Sequence, residues 1–178
     1  MPKKLLVVGS GAIGIEFASF YNTLGADTTV IEVVDRILPA EDAEIAAFAL
    51  KQFSKQGMKI LTNASVKKVE RKKNSAHVEI ESGGKTQTEQ FDTIISAVGI
   101  VGNIEGLGLE NLSIKTDKSH IKTDINCNVG IDGIYAIGDV AGAPWLAHKA
   151  SHEGVMVAES IAGNCLLYTS PSPRDLAR

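Results

Sequence analysis

Apolar residues fall along this chain in two ways, as short unbroken runs and as stripes at helical spacing. Leu5 to Val8 is unbroken and predicts a buried strand of a parallel sheet. From Ala12 to Leu24 the apolar positions Ile13, Phe17, Phe20 and Leu24 predict an amphipathic helix with that stripe as its apolar face, and Gly25 stops it. Thr28 to Glu32 reads as a second strand, ending in an acid. Pro39 then breaks the chain. Ile45, Phe48, Ala49 and Phe53 recur at helical spacing within Glu41 to Lys55. Glu41, Asp42 and Glu44 crowd the first turn of that helix, where the macrodipole favours acids. Gly57 closes it, and Met58 to Leu61 is a third short strand. The order β-α-β-α-β is the first half of a doubly wound α/β sheet.

The rhythm then changes. Ser65 to Arg71, Ala76 to Ser82 and Lys85 to Phe91 alternate only in part, separated by the turn pairs Asn74-Ser75 and Gly83-Gly84. They predict an antiparallel β-meander, about residues 65–91, inserted as a crossover. The apolar run Phe91 to Val98 returns to the parallel sheet and ends at Gly99. A connector from Ile100 to Lys118 has Leu107, Leu109 and Leu112 as anchors, and Ile121 to Thr123 is a short extended segment. Ile131 to Ile137 leads into a strand, YAIGD, ending at Gly138-Asp139. Leu146 to Ile161 reads as a helix rich in small residues, stopped by Gly163. Its Val155, Met156, Val157 and Ile161 are expected to leave an exposed apolar patch. Cys165 to Asp175 has no periodicity; it resembles the translated read-through of a sequencing-library adapter and is set aside from the fold. The expected fold is therefore α/β: a Rossmann-like domain over 1–118 carrying the meander, part of a second domain over 119–164, and a non-native tail over 165–178.

Composition narrows the function. A chain of 178 residues holds one domain, or one and part of another. The formal net charge of −3 gives no footprint for nucleic acid or a membrane surface. Lys67, Lys68, Arg71, Lys72 and Lys73 read as a solvated face. No apolar run approaches the ~20 residues of a membrane span. The core strand follows Met1–Lys4 at once, which leaves no room for a signal peptide. Cys127 and Cys165 form no C-x-x-C, so a reducing, cytoplasmic setting is expected and Cys127 reads as inert and half-buried. His148 and His152 have metal-ligand spacing but no visible third ligand, so no metal is expected.

The chemistry concentrates after the first strand. Gly9, Gly11 and Gly14 follow the G-x-G-x-x-G spacing. Gly9 makes the tight turn, Gly11 lets a pyrophosphate approach the backbone, and Gly14 lets helix and strand pack closely. The helix N-terminus offers free amides and partial positive charge to phosphates. Glu32 stands where a carboxylate accepts hydrogen bonds from an adenosine ribose. These features predict a dinucleotide site; the bland alternative is a tight turn without a ligand.

Two segments carry a family resemblance. GSGAIGIEF with VIEVVDRILP resembles the NAD domain of the dihydrolipoyl dehydrogenases, flavoprotein disulfide reductases of 2-oxo-acid dehydrogenase complexes. IYAIGDVAGAPWLAHKASHEG resembles the segment by which that family returns to its FAD domain. The resemblance spans Pro2 to Gly163. It implies that Gly9, Ser10, Gly11, Ala12, Ile13, Gly14, Ile15 and Glu16 line the NAD pyrophosphate and the floor near the flavin. It implies Glu32 on the adenosine ribose, Val66 on the adenine and Gly99 by the nicotinamide half. Asp139 would hold the FAD ribityl chain, with Trp145, Leu146, Ala147 and His148 along the flavin. The second domain part would then belong to an FAD domain. The parent would be a homodimer within such a complex, passing electrons from dihydrolipoamide through a disulfide and FAD to NAD⁺. The chain departs from this pattern. The strand after the meander ends Gly99-Ile100-Val101, where the wider superfamily often has Gly-Arg. The FAD fingerprint, the C-x-x-x-x-C disulfide and the acid–base domain are not in the sequence, so the chain reads as an interior piece without a catalytic residue of its own. The alternatives are an NADPH-dependent disulfide reductase, which Glu32 opposes, and a non-catalytic nucleotide-binding module.

Overall fold

The protein is seen here as a computed structural model that describes residues 1–164; the adapter-like tail lies outside the described residues. The chain divides into two units, Met1–Gly99 and residues from Ile100 onward.

In the first unit, β1 (Lys4–Val8), α1 (Ala12–Thr23), β2 (Asp27–Ile31), α2 (Ala43–Lys55) and β3 (Lys59–Leu61) follow in order. The meander is β4 (Ala64–Arg71), β5 (Ala76–Ser82) and β6 (Lys85–Phe91), and β7 (Thr93–Ser96) completes the unit. The parallel sheet runs β3-β2-β1-β7, with Val8 opposite Ile31 on one side and Ser96 on the other. Leu5, Leu6, Val7 and Val30 have no solvent exposure. Leu5, Val7 and Val30 pack with Ile15, Ala18 and Met58 on the helix side. Leu6 and Ile31 pack with Val78, Ile80 and Phe91 of the meander on the other. Cover on both faces is why β1 is an unbroken apolar run. Glu89 on β6 accepts a hydrogen bond from Lys59 of β3 at 2.6 Å and pairs with Lys4 of β1 at 3.4 Å, tying the meander to the parallel sheet. The Lys59 hydrogen bond holds the Glu89 carboxyl below the ordinary glutamate range.

Both helices form where the pattern predicts them, but the buried faces differ from the expected ones. On α1 the buried residues are Gly14, Ile15 and Ala18, while Ile13, Phe17, Phe20 and Leu24 are each about half exposed. The reason is close approach: a Cβ on Gly14 would lie 2.0 Å from the Gly9 carbonyl oxygen, so the small-residue face goes inward. On α2, Ala46 is buried and Ala49, Leu50 and Phe53 pack on the core, while Ile45 and Phe48 stay exposed. Asp42 caps α2 by accepting from the Glu44 and Ile45 amides.

The second unit is built on Ile121, Val129 and Ala136, with β8 (Thr116–Asp117), β9 (His120–Ile121) and the longer α3 (Ala147–Ile161). Residues 100–118, read with the first domain, fall in this unit. The Gly102 amide donates to Ser119 Oγ at 3.1 Å, and Ile104, Leu109 and Ile114 join the Ile121 cluster. Of the expected anchors only Leu109 packs there; Leu107 and Leu112 are exposed. The YAIGD strand does not form. One bridge joins Asn128 to Tyr135, and Gly138–Ala141 is a 3₁₀ turn. Across the bridge the Ala136 amide donates to Cys127 O and Ile134 O accepts from the Val129 amide, too few bonds for a ladder. On α3, Met156 is buried, so the expected apolar patch is reduced to Val155 and Ile161. Cys127 is buried; burial and then the Glu153 carboxylate push its thiol up, away from reactive thiolate. Among the described residues no helix is long and apolar enough to cross a membrane.

Candidate functional site

The site is assembled at the carboxyl ends of β2, β1 and β7. Chain order moves from β1 to β2, while β7 lies on the other side of β1, so the β1/β7 border is the switch point where α/β sheets bind ligands. Three glycines shape this edge in three ways. Gly9 turns with φ +97°, donates its amide to Ile31 O at 2.8 Å, and could not carry a Cβ, which would sit 2.4 Å from Ala97 O. Gly14 lets α1 sit against that turn. A Cβ on Gly11 would meet nothing within 4 Å, and its φ of −63° suits any residue. The fold itself does not require glycine there, and the space over the Gly11 backbone is open. Gly11 is the N-cap of α1 and gives no side-chain cap, so the first-turn amides keep their donors for an anion.

Glu32, just past β2, is 7% exposed. Its Oε2 accepts from the Ser10 amide at 2.9 Å and the Ser10 hydroxyl at 2.6 Å; Oε1 accepts from the Val34 amide at 3.1 Å. Burial pushes this carboxyl up, but the hydrogen bonds from Ser10 and Val34 outweigh it and hold it below the ordinary range. The group is a fixed buried anion at the glycine turn, suited to accepting from sugar hydroxyls and hostile to a phosphate. Arg36 is exposed and donates to Pro39 O at 3.1 Å, so it is turned to the main chain.

The structure gathers Gly9, Ser10, Gly11, Ala12, Ile13 and Glu32 at one edge. Gly99 follows Ala97, which touches the Gly9 turn and donates its amide to Val8 O at 2.7 Å. Ile15 points into the core and Glu16 is exposed beside Phe17 and Phe20. Val66 packs against the meander cluster. A groove of about 300 Å³ near the end of β2 is lined by Val33, Asn63, Ser65 and Lys67 rather than by Val66.

In the second unit Asp139 is exposed on the 3₁₀ turn, not at a strand end as expected. Trp145 stands 5.8 Å from the His120 ring; Leu146 is the N-cap of α3, with Ala147 and His148 exposed in its first turn. Among the described residues no cluster of three His, Cys, Asp or Glu gathers round His148 and His152. Sequence reasoning missed the pair that secures this turn. Lys149 Nζ donates to Gly138 O (3.3 Å) and Gly142 O (3.0 Å), Glu153 accepts from the Gly138 amide (2.8 Å), and the two side chains pair at 3.1 Å. Their opposite charges at i,i+4 were the available signal.

Residues 1–154 match the family model described as pyridine nucleotide-disulphide oxidoreductase. The chain is 58% identical over 165 residues to a dihydrolipoyl dehydrogenase of Rhizobium etli, and 50% identical over 164 residues to one of Zymomonas mobilis. Each alignment covers 92% of this chain but 34% and 35% of the relatives, so the chain spans about a third of their length. Among solved structures, LpdA from Mycobacterium tuberculosis matches with a TM-score of 0.80 at 31% identity, over 96% of this chain and 36% of that one. The HOCl-induced flavoprotein disulfide reductase RclA from Escherichia coli, in a Cu(II) complex, matches at 0.80 and 28% identity, over 91% and 37%.

Proposed function

The chain belongs to the pyridine nucleotide-disulphide oxidoreductase family, and on that premise we propose that it is the NAD-binding portion of a dihydrolipoyl dehydrogenase. The observation that carries the cofactor choice is Glu32. A buried carboxylate at the ribose position meets a 2′-phosphate as a like charge, which costs several kcal/mol. The open space over Gly11 and the uncapped start of α1 fit a pyrophosphate. NAD⁺ would supply the hydride acceptor and FAD the carrier that hands it over.

This chain's residues bind and orient. The α1 amides would fix the pyrophosphate, Glu32 the adenosine ribose, and Gly99 would leave room beside the nicotinamide half. In the second unit Asp139 has no side-chain partner among the described residues and fits a polyol hydroxyl; Trp145 to His148 would flank the flavin. Membership of a homodimer within a 2-oxo-acid dehydrogenase complex rests on the likeness to the relatives. No side chain here is assigned proton transfer, so the chain alone is expected to be colourless and without turnover. The test is the gene product of relative-like length carrying this stretch. It should hold flavin and form NADH from NAD⁺ and dihydrolipoamide; a flavin-loaded protein that reduces only NADP⁺, or neither, would overturn the proposal.

A further inference from the structure

We infer that Ser10 is a positioning residue: it holds the Glu32 carboxylate against the glycine turn and thereby sets the preference for an adenosine ribose with a free 2′-hydroxyl. This rests on the NAD reading above and alters one part of it. The family likeness puts Ser10 along the pyrophosphate, but Ser10 has no solvent exposure and no polar group to spare. Its amide and hydroxyl both go to Glu32 Oε2, and its carbonyl accepts from the Leu38 amide at 2.9 Å.

Glu32 is fixed from the other side as well. Its amide donates to Leu61 O at 2.8 Å and its carbonyl accepts from the Ala64 amide at 2.9 Å. The backbone of Glu32 is thus set by β3 and β4, and its side chain by Ser10. Three of a carboxylate's roughly four acceptor positions are filled by protein donors, which leaves about one for a sugar hydroxyl. Among the described residues no charged side chain contributes to holding this anion: its hydrogen-bond donors are the Ser10 hydroxyl and the main-chain amides of Ser10 and Val34. The flanking Asp35 and Arg36 are exposed, and Arg36 is engaged by Pro39. Burial acts against the charge, and the Ser10 hydroxyl is the largest opposing influence. Without it Oε2 keeps one donor, the side chain regains rotamer freedom, and the anion at the ribose position weakens.

The experiment uses the chain as it is, titrated with NADH and with NADPH from pH 5 to 8, in the native form and as Ser10→Ala, Glu32→Gln and the double variant. Ser10→Ala should weaken NADH about tenfold, the effect of losing a hydrogen bond to a charged group, and leave NADPH unchanged or tighter. The same substitution in the Glu32→Gln background should change the NADH/NADPH ratio no further. Equal losses for both ligands, or effects that add across the double variant, would overturn the inference. Carbon-detected NMR titration of the Glu32 carboxyl, without ligand, gives a second reading independent of the dinucleotide. Ser10→Ala should raise its midpoint, and an unmoved midpoint overturns the positioning role. Native protein that binds neither nucleotide would bring down the NAD reading and the specificity role with it, while the NMR midpoint still decides whether Ser10 holds Glu32.

Discussion

Replacing Gly11 and Gly14 in turn by alanine separates ligand space from packing space. At Gly14 the added Cβ would lie 2.0 Å from the Gly9 carbonyl oxygen and 3.3 Å from the Ala97 Cβ. Contacts between carbon and a backbone oxygen need more than 3 Å, so the α1 start and the Gly9 turn must part by about 1 Å. Overpacking of this kind costs about 1–3 kcal/mol. In a unit of 99 residues that lowers the melting temperature by roughly 4–8 °C per kcal/mol, so Gly14→Ala should lose about 5–20 °C. Gly11→Ala meets nothing within 4 Å and sits at φ −63°. Alanine caps less well than glycine but restricts the unfolded chain, and these two effects of about 0.5–1 kcal/mol oppose each other. Its melting temperature should move by no more than a few degrees. Its methyl, however, occupies the space above the α1 amides, and NADH affinity should fall at least tenfold. Differential scanning calorimetry and NADH fluorescence titration on the same preparations check both arms. The reasoning is wrong if Gly11→Ala binds NADH like the native chain, or if Gly14→Ala melts unchanged.

Glu32 and Glu89 have carboxyls held low, so their contribution to stability is complete above the ordinary glutamate range (about pH 4.3) and is lost as pH falls through the lowered values. Glu89→Gln should flatten the acid side of the stability curve, and an unchanged slope in urea melts between pH 3 and 5 refutes this. Glu153→Ala removes the acceptor of the Gly138 amide and should speed hydrogen exchange there about tenfold; unaltered protection would show that the α3 pair does not secure the turn. Phe17→Ser with Phe20→Ser should reduce binding of a hydrophobic dye while leaving the melting temperature within a few degrees, because both rings are about half exposed. A large fall in melting temperature would mean that these rings pack.

What was legible in the sequence follows from how many neighbours a segment answers to. The β1 run and the Gly83-Gly84 turn of the meander announce themselves locally, the one by cover on both faces, the other by backbone that needs φ of +57° and +73°. The inward face of α1 was not legible. Periodicity picks out the stripe of Ile13, Phe17, Phe20 and Leu24, and only the approach to the Gly9 turn brings the face of Gly14, Ile15 and Ala18 inward instead. YAIGD is strand-like in composition, yet a strand needs a continuous neighbour, and the second unit supplies one bridge. At the site, the glycine spacing and Glu32 were readable from the chain. The Ser10–Glu32 bond, across 22 positions, was not, because a serine inside a glycine turn has no pattern of its own. The Lys149–Glu153 pair could have been found from its spacing, although not its hold on Gly138 and Gly142.

Calorimetric titration of this chain with NADH and NADPH at neutral pH, side by side, tests the central claim most directly. Saturable binding of NADH, at least tenfold tighter than NADPH and competed by NAD⁺, is the predicted result. Failure to bind NADH, or an equal or higher affinity for NADPH, would contradict a buried Glu32 carboxylate as the ribose acceptor beside the Gly11 turn.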